Sequence, residues 1–254
     1  MSTEAYVNSH IEHGINTIEF FHPQSNSLPG KILEDLAREI HFAGTHEETK
    51  VIILKSGGDK TFCSGASFDE LIAIKEEQEG LKFFSGFANV INAMRKCPKF
   101  IIGRIQGKCV GGGVGLAAAV DYAIATSKSE VKLSELAVGI GPFVVGPAVE
   151  RKIGAAAFSA LAIDAHSWRS ADWAKRKGLF AEMHEDIAGM DESVYKLANT
   201  LAHSNPQAMS EMKKTFWKGT DDWDQLLKDR AAISGRLVLS EFTRHAIEKF
   251  KTKK

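Results

Sequence analysis

Two glycine-bearing turns and one glutamate are the places where this chain could do chemistry. Ser64-Gly65-Ala66 and Gly111-Gly112-Gly113 each follow an apolar run and precede a helical pattern. Glycine lets the backbone approach a ligand closely, and a helix start presents N–H groups that lack intrahelical acceptors and favour negative charge. Two such donors converging on one oxygen would stabilise an oxyanion, where a single donor is typically worth ~3 kcal/mol of barrier. Plain tight turns would account for the same spacing. The glutamate is Glu135, in the otherwise apolar Leu133-Ser-Glu-Leu-Ala-Val-Gly139. A carboxylate in apolar surroundings has its pKa raised, which suits a proton carrier near neutral pH. A capping or ion-paired glutamate is the other role open to it.

Other chemistries fail on spacing. A GxGxxG frame starting at Gly111 would need glycine where Leu116 stands, and Gly57-Gly58-Asp59-Lys60-Thr61 lacks the glycine that a phosphate loop places directly before its lysine. Ser64 has no glycine two residues before it and Ser67 none two after, so no GxSxG nucleophile elbow exists. His10 and His13, three apart near the first strand, would point to opposite faces, so no metal site is expected. Cys63, Cys97 and Cys109 are odd in number and spaced like neither a disulfide framework nor zinc ligands, which predicts a reducing compartment.

Composition narrows the class further. The 254 residues carry 32 Lys+Arg against 32 Asp+Glu, so no basic field exists for a nucleic-acid backbone or an anionic membrane surface. The apolar runs fall far short of the roughly 18 residues of a membrane span, and the N-terminus has neither a basic start nor an apolar leader. A cytoplasmic protein with no membrane or nucleic-acid partner is expected.

The elements that would position these residues alternate. Ile15–Phe21 reads as a strand with one buried face, Lys31 to Phe42 as a helix, and Val51–Leu54 as a strand covered on both faces. Phe68–Glu77 and the Leu81, Phe84, Ala88, Ile91, Met94 stripe read as helices, the latter ended by Cys97-Pro98. Phe100–Gly107 and Val120–Ala125 are further strands, giving an α/β core with parallel pairing. From Gly154 the pattern is helical, through Ala155–Ile163, Ser170–Lys177, Glu192–His203, Gln207–Lys218 and Trp223–Phe250, with Ser170 and Asp221 as expected N-caps. The helical end could serve assembly or simply cover the sheet.

Taken together, Lys60–Glu70, Ile101–Leu116 and Ser134–Ile140 resemble the crotonase (enoyl-CoA hydratase/isomerase) superfamily, in order and over essentially the whole chain. The resemblance implies an α/β spiral of ββα turns over residues 1–190 and a C-terminal helical region over 191–254 that builds homotrimers, often paired into hexamers. It implies an acyl-CoA thioester substrate, with coenzyme A part of the substrate and no separate cofactor. It assigns the oxyanion hole to the N–H groups of Ala66 and Gly112, and places CoA along Ser64, Ala66 and Phe68, with Lys249 reaching its phosphates. Phe143 and Gly115 would join the substrate contacts, and Phe83, Phe84 and Phe87 would line the acyl pocket or pack in the core.

Hydratases of this superfamily carry two glutamates twenty residues apart; here those positions are Gly115 and Glu135. A lone base above an oxyanion hole suits migration of a double bond, and the superfamily's enoyl-CoA isomerases are similar in this register. Hydrolase-like and dehalogenase-like members place an Asp near Phe143, and Phe143-Val-Val145 offers none. The alternatives are a hydratase of a branched or unsaturated acyl-CoA, such as methylglutaconyl-CoA, and a catalytically silent acyl-CoA-binding protein.

Overall fold

Val51-Ile-Ile-Leu54 and Phe100-Ile-Ile102 are apolar at consecutive positions because both faces of their strands are covered. Ile52, Leu54, Ile101 and Ile105 point into one core cluster, and Val51, Ile53, Phe100 and Ile102 into another. The computed structural model describes residues 4–251.

The chain starts with a hairpin, β1 (Tyr6–Glu12) and β2 (Ile15–Phe21), followed by β3 (Ser27–Leu28) and α1 (Gly30–Thr45). The next turn is β4 (Val51–Ser56), β5 (Thr61–Cys63), β6 (Gly65–Ala66), α2 (Phe68–Ala73) and α3 (Glu77–Lys96). Then come β7 (Phe100–Ile105), β8 (Lys108–Val110) and α4 (Gly112–Ala119), and after them β9 (Tyr122–Thr126), β10 (Val131–Lys132) and a 3-10 helix, Glu135–Val138. The first strand of each turn joins a six-stranded sheet ordered β1-β2-β4-β7-β9, closed at its far edge by β11 (Glu182–His184). The second strands form a separate sheet, β10-β8-β5, and β3 pairs with β6. All pairs except β1–β2 are parallel. The result is a spiral of ββα turns whose smaller sheets carry the glycine turns.

Helices cover both faces of the large sheet. Side chains of α1, α3 and α4 fill one cluster, while α8 (Ile187–Ala202) seals the other face through Met190, Val194 and Ala198. The remaining helices are α5 (Gly146–Ile153), α6 (Ala155–Ile163), α7 (Ala171–Arg176), α9 (Pro206–Phe216), α10 (Trp223–Leu237) and α11 (Glu241–Lys251).

Several local expectations change. β1 has a mostly exposed burial pattern, so alternation did not reveal it. Phe68–Glu77 is not one helix: Ser67 caps α2 at the Glu70 N–H, and the backbone leaves the helix at Ile74. Trp223–Phe250 is two helices, because Ser240 starts a new one by accepting from Thr243 N–H at 3.3 Å. Ser170 caps α7 as expected, whereas Asp222, not Asp221, precedes α10. The strand expected from Val120 begins only at Tyr122, since Asp121 bonds Ile101 through its own N–H and side chain. The boundary expected at 190 falls inside α8.

Candidate active site

The parallel pairs of the small sheets bring the two glycine turns side by side. Cys63 in β5 and Cys109 in β8 are register partners, so the residues that follow each strand emerge together. A β-carbon on Gly65 would lie 3.6 Å from Gly112 N, and one on Gly113 would lie 2.2 Å from Cys63 O. At Gly113 only glycine permits that approach, and Gly65 is held at φ +95°, a conformation that L side chains rarely adopt. Gly111, at φ +53° and ψ −116°, caps α4 in a backbone conformation closed to L side chains. Gly112 is the first residue of α4, and its N–H has no intrahelical acceptor. On the other turn the β3–β6 rung closes on Ser67, whose N–H donates to Leu28 O at 3.0 Å.

Glu135 is delivered to the same place by β10, which pairs with β8 and ends three residues earlier. The 3-10 helix stops at Gly139, which takes the left-handed conformation and donates to Leu136 O. A β-carbon on Gly111 would lie 3.1 Å from Glu135 Oε1, so the carboxyl rests against the start of α4. Its other oxygen, Oε2, is buried without a hydrogen-bond partner. Burial pushes the Glu135 pKa up to about 7, opposed only in part by a bond to its own backbone.

Ser64, Ala66, Phe68, Gly112, Glu135 and Phe143 all line one cavity of about 540 Å3. Phe83, Phe84 and Phe87 line it too, Phe87 lying so close over Gly112 that a β-carbon there would fall 2.2 Å from its ring. Among the described residues, Glu135 is the one ionisable side chain in the lining. Gly115, expected among the substrate contacts, does not reach the cavity: it is buried, and a β-carbon on it would lie 2.5 Å from Val145 Cγ1. Val145 itself lines the wall in its stead. Lys249 is exposed on α11, outside the lining.

Gln24, Ser25 and Ser234 are among the lining residues that the sequence reading missed. Gln24 and Ser25 come from the turn before β3, where Ser25 and Asn26 have φ +55° and +54°. Buried Asn26 holds that turn by donating to Gly57 O and Thr61 O. The Ser-Asn pair in a Pro- and Gly-bounded loop was the available signal. Ser234 comes from α10, far along the chain, and had none. No three His, Cys, Asp or Glu side chains are placed to hold a metal among the described residues, and no described helix is long and apolar enough to cross a membrane.

A spiral of ββα turns, with two glycine turns and a buried acid converging on one cavity, defines the class. The enoyl-CoA hydratase/isomerase family model matches residues 10–251, and the chain belongs to that family. It is 26% identical over 246 residues to a "Probable enoyl-CoA hydratase" of Bacillus subtilis (strain 168), covering 96% of this chain and 95% of that protein. It is 29% identical over 135 residues to an ethylmalonyl-CoA decarboxylase of Xenopus tropicalis, covering 53% of this chain but only 45% of the relative. The crystal structure of enoyl-CoA hydratase from Bacillus halodurans superposes with a TM-score of 0.88 at 21% identity, covering 96% of this chain and 99% of that one. That likeness establishes the crotonase-type spiral expected from the sequence.

Proposed function

We propose that this chain is an acyl-CoA enzyme that moves a carbon–carbon double bond, with Glu135 as its proton shuttle and the N–H groups of Ala66 and Gly112 as its oxyanion hole. The observation that carries the reading is the solitary carboxyl: among the described residues Glu135 alone is ionisable in the cavity wall, and the place of a second glutamate at Gly115 is closed by Val145. Adding water across a double bond asks for one group to orient water and another to move a proton. Migration asks for one base that gives back what it takes.

In the proposed reaction Glu135 takes a proton from C2 of a 3-enoyl thioester. The electron pair delocalises onto the thioester oxygen, where the two N–H donors hold it. Protonated Glu135 then returns the proton to C4, and the double bond lies between C2 and C3. No atom is gained or lost, and the reaction needs no cofactor. A carboxyl with a pKa of about 7 can hold and release a proton near neutrality, which suits both halves of the cycle.

The lining also bears on the acyl group. It contains no Lys, Arg or His among the described residues, so an ionised distal carboxylate would meet no counter-charge and would face Glu135 itself. A neutral acyl chain is therefore favoured over malonyl-type or methylglutaconyl-type substrates. CoA would lie along Ser64, Ala66 and Phe68, with Lys249 assigned to its phosphates.

Assembly into trimers or hexamers is part of the proposal. The 3-10 helix packs against both α6 and α11, and these neighbouring elements expose Leu136 (51%), Ile163 (73%) and Phe242 (69%). Sedimentation velocity should give a mass of three or six chains; a monomer would reject this part.

The reaction is tested by offering 3-enoyl-CoA and 2-enoyl-CoA separately in deuterated water and following products by mass spectrometry. Conversion of the 3-enoyl to the 2-enoyl thioester, abolished by Glu135→Gln, is expected. Fast hydration without isomerisation would replace the reading with a hydratase. Binding of thioester with neither product nor deuterium at C2 would leave a silent binding protein.

A further inference from the structure

A second cavity, of about 720 Å3, lies between α1, α2 and α3. Its wall includes the apolar Ala37, Ala73, Ile74 and Gly86, and exposed Lys31, Glu34, Glu79 and Lys82 surround them. Among the described residues, Phe83 is the one that lines both this cavity and the one holding Glu135. The helices divide in the same way. α3 turns Phe84 and Phe87 to the first cavity and Lys82, Gly86 and Asn89 to the second, while α2 turns Leu71 to the first and Ala73 to the second, where Ile74, the residue after it, also lies. Phe83 sits on the ridge between them, half-buried, its ring edge-on to Phe84 with centroids 5.0 Å apart.

We propose that Phe83 is a partition that sets the length of acyl chain this protein accepts, and that the space behind it is an apolar tail subsite open only when the ring is removed. The inference rests on the acyl-CoA reading above. An alkyl chain entering from Glu135 runs toward Phe84 and Phe87 and stops at Phe83. Without that ring it continues along Ala37, Ile74 and Gly86 toward solvent. Phe83 lines both cavities, so truncating its ring is expected to join them. Each further methylene buried in the joined space would tighten binding by up to about fourfold.

The test is calorimetric titration of wild type, Phe83→Ala and the double variant Phe83→Ala/Ala37→Phe with saturated acyl-CoAs from butyryl to dodecanoyl, below micelle-forming concentrations. In the wild type, affinity should stop rising or fall beyond a medium chain. In Phe83→Ala the ratio of dodecanoyl to butyryl affinity should rise at least tenfold, and the Ala37→Phe plug should reverse that gain. A ratio unchanged within twofold, or a gain that survives the plug, would overturn the proposal. So would failure of every acyl-CoA to bind. Because titration needs no turnover, graded binding without double-bond migration would keep the partition and reject only the proposed reaction.

Discussion

Glu135 is protonated or ionised according to where the pH lies relative to about 7, and both activity and stability must follow. As the proposed base it would work ionised, so the rate of C2 deprotonation should climb as pH rises through 7 and level off above. A pH profile measured at saturating substrate checks this; a rate already flat from pH 5 upward would show that burial does not hold the proton. The linkage to folding runs the other way. A carboxyl whose folded pKa stands above its unfolded value of 4.5 stabilises the fold by keeping its proton, and that contribution disappears as pH rises through the folded pKa near 7. The ionised, partnerless oxygen then costs the fold roughly 3 kcal/mol. Glu135→Gln should accordingly be more stable than wild type at pH 8, with the advantage shrinking toward pH 4.5, as read by urea unfolding at the two pH values. Equal stabilities at pH 8 would mean that the carboxyl is relieved by a contact with water or protein.

At the scale of elements, the site depends on close approach between α4 and its neighbours. Val145, in the segment leading to α5, fills the space beside Gly115, and a β-carbon there would overlap its side chain. Gly115→Ala should therefore destabilise the protein by about 1–3 kcal/mol through overpacking. Adding Val145→Ala should recover most of that loss, a coupling that a double-mutant cycle of thermal unfolding would measure. Additive losses would place the two residues out of contact. The same overlap explains why restoring a glutamate at Gly115 alone should not create a hydratase.

For the whole molecule, one buried polar cluster ties the helical C-terminal region to the spiral. Asp121, the residue before β9, accepts from Lys213 Nζ at 2.8 Å, Trp217 Nε1 at 3.2 Å and Ile101 N–H at 2.8 Å. Lys213, 2% exposed on α9, also donates to Lys99 O, and Arg151 stacks over the Trp217 ring. Removing one member of a buried pair leaves the other charge uncompensated, which costs about 3–5 kcal/mol. Lys213→Ala should lose that much in urea unfolding; a loss under 1 kcal/mol would show that α9 is held by apolar packing alone. No pattern in the sequence linked residues 121 and 213, because neither lies in a motif and ninety-two positions separate them.

What the linear chain determined by itself was local: the doubly covered strands, the two glycine turns, the acid in an apolar stretch and, through their order, the family. Periodicity and backbone freedom are properties of neighbouring residues, so they are legible without a fold. It misjudged breaks that hang on a single capping bond, such as Ser240 to Thr243, and missed β1, whose exposed face leaves no alternation to read. The tertiary structure alone decided that Gly65, Gly112 and Glu135 meet at one cavity, that Val145 occupies the room left by Gly115, and that Phe83 stands between two cavities. Those facts follow from parallel strand register and helix packing. These join residues far apart in sequence, and burial, not residue type, then gives Glu135 its proton affinity.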